Sequence, residues 1–169
     1  MRRWVGLLRG VNVGGARKLA MAELRSAVAG LGATDVETYI QSGNVVFTHP
    51  ERSGATLEAE LERALGTTVM CRTQAELAKI VRDNPYPGTE GTKLVVWFLK
   101  EQAVTTDLRQ VDVARFAPEE FTPHGRELYL YLPNGQGRAK LPPVLGKHVP
   151  DCTARNWQTV TKLSEMASG

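Results

Sequence analysis

A chain of 169 residues that is 42% hydrophobic and 23% charged can bury the core of one ordinary domain or of two small joined ones, so disorder is not expected beyond its ends. A formal charge of +3 and a pI of about 9.0 permit an anionic partner without demanding one. The two cysteines, Cys71 and Cys152, have neither metal-binding nor C-x-x-C spacing, so reduced thiols in a cytoplasmic protein are expected.

Trp4 to Leu8 reads as a short apolar strand. Arg9 and Gly10 break that run, leaving it too short for a signal peptide or a membrane span. Gly10 to Gly15 is a loop, and Met21, Leu24, Val28 and Leu31 recur at helical spacing before Gly32. Val36 to Ile40 and Val45 to Phe47 are rich in β-formers, joined by a hairpin turn at Gln41-Ser42-Gly43-Asn44 in which Gly43 or Asn44 takes positive φ. Thr56 is the candidate cap of a second helix carrying Leu57, Leu61, Ala64 and Leu65, and Gly66 ends it. Thr68 to Cys71 follows as a strand. The order is βαββαβ, a ferredoxin-like unit.

Gln74 to Arg82 predicts a connecting helix, broken by Asn84-Pro85-Tyr86-Pro87-Gly88 and a loop to Thr92. The order then repeats. Leu94 to Leu99 is a strong strand and Thr105 to Val111 a short helix. Glu120 to Thr122 and Glu127 to Leu132 are strands around Pro123-His124-Gly125. Lys140 to Leu145 is a short helix, Asp151 to Ala154 a brief strand, and Trp157, Val160, Leu163 and Ala167 mark a terminal helix. The expected fold is therefore α+β: two ferredoxin-like βαββαβ halves with antiparallel sheets and a C-terminal helix. The expected divisions are a first half at 1–72, a connector at 73–92 and a second half at 93–169.

The loop Arg9 to Lys18, RGVNVGGARK, resembles a phosphate-gripping loop in part. Gly10 and Gly15 satisfy G-x-x-x-x-G, but Ala16 and Arg17 follow in place of Lys and Ser or Thr, so the magnesium-binding hydroxyl is missing. A strand-to-helix loop with free amides and nearby cations can still hold an anion; the alternative is a plain turn eased by glycine. Near the C-terminus, Arg155, Asn156 and Thr159 fall at a helix start. There Asn156 is a candidate cap, and Arg155 either meets an anion or is simply solvated.

No catalytic engine is visible. His49, His124 and His148 are scattered and read as surface histidines, no spacing suggests a metal or other cofactor, and Ser42 stands outside G-x-S-x-G. Glu58, Glu60, Glu62 and Arg63 read as a solvated helix face, Cys71 as a buried structural thiol. Trp4, Trp97 and Trp157 read as core, although Trp97 could stack on a base if its face were open.

Three quoted stretches, GLLRGVNVGG from Gly6, TYIQSGNVVF from Thr38 and TARNWQTVTKL from Thr153, resemble the hallmarks of the bacterial family called domain of unknown function 1697. KLAMAELRSAVAGLGATDVETY, between the first two, extends the resemblance to nearly the whole chain. The resemblance implies an α+β fold with ferredoxin-like parts and carries no established activity. Two departures stand out: Gln158 replaces an expected Asn, and the proline-rich segment 137–150 has Ala139 at an expected Ser, which removes a hydroxyl there.

The candidate binding residues are Arg9, Asn12, Gly14, Gly15, Lys18, Gln41, Ser42, Asn44, Arg138, Lys140, Arg155 and Asn156. If they converge they suit a polar anionic ligand such as a phosphorylated small molecule or a nucleotide. A nucleic-acid module is the alternative by fold analogy, though no RNP-type motif supports it. A third reading is a protein-interaction module that uses Tyr129 and Tyr131 on an edge strand. No membrane partner is expected.

Overall fold

The computed structural model describes residues 1–11, 18–40 and 42–169, and these fold as an α+β protein of two βαββαβ halves. The first half runs β1 (Arg2–Leu8), α1 (Met21–Ala29), β2 (Thr34–Tyr39), β3 (Asn44–His49), α2 (Gly54–Leu65) and β4 (Val69–Thr73). All pairings are antiparallel, in the spatial order β2-β3-β1-β4. α3 (Gln74–Arg82) follows. The second half repeats the plan with β5 (Leu94–Leu99), α4 (Thr105–Leu108), β6 (Glu120–His124), β7 (Glu127–Tyr131), α5 (Leu141–Leu145) and β8 (Cys152–Asn156), in the order β6-β7-β5-β8. α6 (Trp157–Ser168) closes the chain. The chain divides into two compact units, Met1–Arg82 with Thr161–Gly169, and Asp83–Val160.

The repeat holds at the level of single residues. In the first sheet Val5 lies between Val46 and Arg72; in the second, Val96 lies between Tyr129 and Arg155. Strand alternation sends Trp4, Leu8, Val45, Phe47, Val69 and Cys71 into one core with Leu24, Val28, Leu57 and Leu61 of the helices. The residues between them, Val5, Leu7, Val46 and Met70, are fully buried too. Both faces of the sheet are therefore covered, and α3 packs against β1 and β4.

The ends of the helices show which side chains stop them. Ser53, not Thr56, caps α2: its Oγ accepts from the Thr56 N–H at 3.2 Å. Thr56 sits one turn inside, where only its backbone is used. Gly66 takes φ 69° and returns its N–H to Glu62 O at 2.8 Å. Thr73 and Glu76 form a reciprocal capping box on α3, with N–H to side-chain distances of 2.9 and 3.1 Å. Asn156 caps α6 as expected, accepting the Thr159 N–H at 3.0 Å.

Several polar residues lie deeper than their sequence context suggests. Glu58 is buried rather than solvated, because its carboxylate accepts the Cys71 N–H at 2.8 Å and faces the fully buried Arg72 at 3.9 Å. His49 is not a surface histidine: Nε2 donates to Leu31 O at 2.9 Å, and Nδ1 accepts the Glu51 N–H at 3.0 Å, which together specify the neutral Nε2–H tautomer. β7 is a central strand, so Tyr129, fully buried, and Tyr131, stacked on Tyr86 at 5.5 Å, form no edge. Trp97 is only 8% exposed, so the open face that base stacking needs is absent.

Candidate functional site

The first two motifs meet at one end of the first sheet. The Leu8 N–H, at the end of β1, donates to the carbonyl of Gly43 in the hairpin turn at 2.9 Å. Gly43 has φ 86°, a backbone that favours glycine, and its α-carbon is pressed against Leu8 and Val11. A Cβ there would stand 2.7 Å from Val11 Cγ2 and 2.8 Å from Leu8 Cβ, so a side chain is refused on two counts. Asn44 braces the same turn from within: it is fully buried and its Nδ2 donates to Tyr39 O and Ser42 Oγ, each at 2.9 Å. Asn44 is thus part of the scaffold rather than a group reaching for a ligand.

Arg9 follows directly. Its backbone is held between the two strands' loops, N–H to Thr68 O at 3.0 Å and carbonyl to the Thr67 hydroxyl at 2.7 Å. Its residue surface is exposed, as is that of Lys18 across the loop. Ser42 is half-buried in the turn. Asn12, Gly14, Gly15 and Gln41 lie outside the described residues, as does Arg17.

The remaining candidates belong to the second unit. Arg155 directly precedes Asn156, the cap of α6. It lies in β8, 6% exposed, with its Nη1 donating to Thr153 Oγ1 at 2.7 Å and Ala154 O at 2.8 Å. Burial pushes its pKa down to about 10, so it stays charged at neutral pH but is spent inside the sheet. Arg138 and Lys140 are exposed around the start of α5. That helix start is already filled, because the buried Glu119 carboxylate accepts the N–H groups of Leu141 at 2.8 Å and Lys140 at 3.1 Å. An anion there would meet a carboxylate.

Sequence reading missed one cluster. His124 Nε2 lies 3.0 Å from Asp83 Oδ2, and Nδ1 lies 3.8 Å from Glu127 Oε1, while the ring meets Tyr129 edge-on. Burial, then Asp83 and Glu127, push the Tyr129 hydroxyl far up from its usual range, so it stays protonated. Asp83 and His124 are separated by 41 residues, and only the pairing of β6 with β7 brings Glu127 opposite His124. Among the described residues no group of His, Cys, Asp and Glu is arranged to hold a metal ion, and no helix is long and apolar enough to cross a membrane.

Comparisons with known proteins agree with this architecture. No curated protein matches the chain. Its fold is similar to the solved structure of conserved bacterial protein SP0830 from Streptococcus pneumoniae, at 25% identity and a TM-score of 0.74 over 98% of each chain. The model of one family, described as protein of unknown function (DUF1697), matches residues 1–129. With most of its length inside that match, the chain belongs to the DUF1697 family.

Proposed function

We propose that the protein binds a small phosphorylated or nucleotide-like ligand at the end of the first sheet where the β1 loop meets the hairpin turn. The observation that carries this reading is the clamp between Leu8 N–H and Gly43 O, which joins two polar motifs and leaves Arg9 and Lys18 exposed beside them. Rigid support beneath adaptable loops is the usual construction of a binding site. The composition of the adjoining stretch, Asn12 to Arg17, adds glycine amides, an amide side chain and a third cation, the groups that recognise phosphate oxygens. Arg155, Asn156, Arg138 and Lys140 are not part of the proposed site.

The test is a titration of 15N-labelled protein with inorganic phosphate, adenosine monophosphate and glucose 6-phosphate. Saturable shifts centred on Leu8 to Val11, Lys18 and Ser42 to Asn44, weakened about tenfold or more in R9A/K18A, support the reading. The absence of saturable shifts there with all three ligands overturns it.

A further inference from the structure

The second half carries a cavity that the first half does not need, and the repeat explains it. In the first half α1 is nine residues long, and its Leu24 and Val28 roof the sheet over Val45. The equivalent helix of the second half, α4, has four residues. Leu128, at the register position of Val45, opposes Trp97 as Val45 opposes Gly6. Beside the shorter α4 lies a groove of about 480 Å³, lined by Leu108, Val111 and Val113 and by Phe121 of edge strand β6, with the fully buried Leu128 at its base. That volume falls within the range of small-molecule sites, roughly 300–1,000 Å³, and the apolar walls are typical of them.

The polar groups at the mouth define the occupant. Arg109 lines the groove, and its guanidinium makes no ion pair among the described residues. No acidic side chain lines the groove beside it. We infer that this groove binds a small amphipathic anion, a medium-chain acyl or aryl carboxylate, with its apolar body on Phe121 and Val113 and its carboxylate at Arg109. Charge complementarity selects the head and the walls select the tail. The site lies wholly within Asp83–Val160 and is independent of the phosphate site proposed for the first unit.

Octanoate and octan-1-ol are the probes. Titrating either into 15N-labelled protein should give saturable shifts confined to residues 102–113 and 121–128. R109Q should weaken octanoate about fivefold, the worth of one solvent-facing charge pair, and leave octan-1-ol unchanged. Val113→Glu, at a rim position that is already 37% exposed and so tolerant of change, should weaken octanoate by a similar factor. Shifts scattered over the surface, or octanoate binding indifferent to both variants, would overturn the inference. Octan-1-ol binding in the groove as tightly as octanoate would overturn the anionic head.

Discussion

Gly43→Ala separates two costs that a glycine can conceal. At φ 86° an L-residue pays about 1–2 kcal/mol in backbone strain. The new methyl would also stand 2.7 Å from Val11 Cγ2 and 2.8 Å from Leu8 Cβ, and Leu8 cannot retreat because it is held in β1. Overpacking of this kind costs about 1–3 kcal/mol, and the stiffer unfolded chain returns about 0.5 kcal/mol, for a net loss near 3 kcal/mol. Gly88→Ala is the control, with φ 80° and nothing within 4 Å of its added Cβ, so it should lose only about 1 kcal/mol. Urea unfolding with native-state hydrogen exchange at β1 amides reads both variants, the exchange assigning the loss to the first unit. In a V11A background, G43A should recover about 1 kcal/mol, since one of the two clashes is gone. Equal losses in G43A and G88A would refute the argument that the turn is seated against the β1 loop.

Three further perturbations address separate contacts. The Ser53 and Arg52 N–H groups hold the Glu51 carboxyl below its ordinary value of 4.5. A depressed folded-state pKa gives stability that is present above 4.5 and lost as pH falls through the lower value, so E51Q should flatten the acid side of a melting-temperature profile. Removing Arg72 alone (R72M) leaves Glu58 buried without its cation and should cost about 3–5 kcal/mol, whereas R72M/E58L should recover most of that in urea unfolding. E119A uncovers the Leu141 and Lys140 N–H groups and should cost about 1–3 kcal/mol, visible as loss of hydrogen-exchange protection in α5.

Much of the fold was legible because local signals and tertiary needs coincide. Periodicity placed α3 at Gln74–Arg82 and β5 at Leu94–Leu99, and the hairpin needed positive φ where Gly43 supplies it. Caps were less legible, since Ser53 and Thr56 have the same chemistry and only backbone direction separates them. The binding residues were least legible. Arg155 and Arg9 look alike in a polar motif, but Arg155 falls with Thr153 on the buried face of a strand. Glu58 stands in a run of charges, yet its spacing from Leu57 and Leu61 places it on the boundary of the apolar stripe, against β4. The Asp83, His124 and Glu127 group has no sequence signature, because Asp83, at the turn after α3, is 41 residues from His124, and Glu127 meets it only through the register of β6 with β7.

The repeat shows how two copies of one plan acquire different work. Arg72 and Arg155 occupy the same register position, each a guanidinium inside a sheet. In the first half α2 has twelve residues and supplies Glu58 to the arginine. In the second, the corresponding helix is α5, whose five residues, Leu-Pro-Pro-Val-Leu, contain no carboxylate. Arg155 donates to the Thr153 hydroxyl and the Ala154 carbonyl, and its burial lowers its pKa to about 10. Both helices of the second half are short, so its core is closed less by helix packing than by loops and 3-10 turns. The short α4 borders a groove with Leu108, Val111 and Phe121 in its walls. The first half, with its long helices, has a full core and places its polar groups at the sheet end instead. Lengthening α4 by a turn should therefore fill the groove beside Phe121 while leaving the Leu8–Gly43 hydrogen bond of the first unit in place, which 15N chemical shifts of both regions would read.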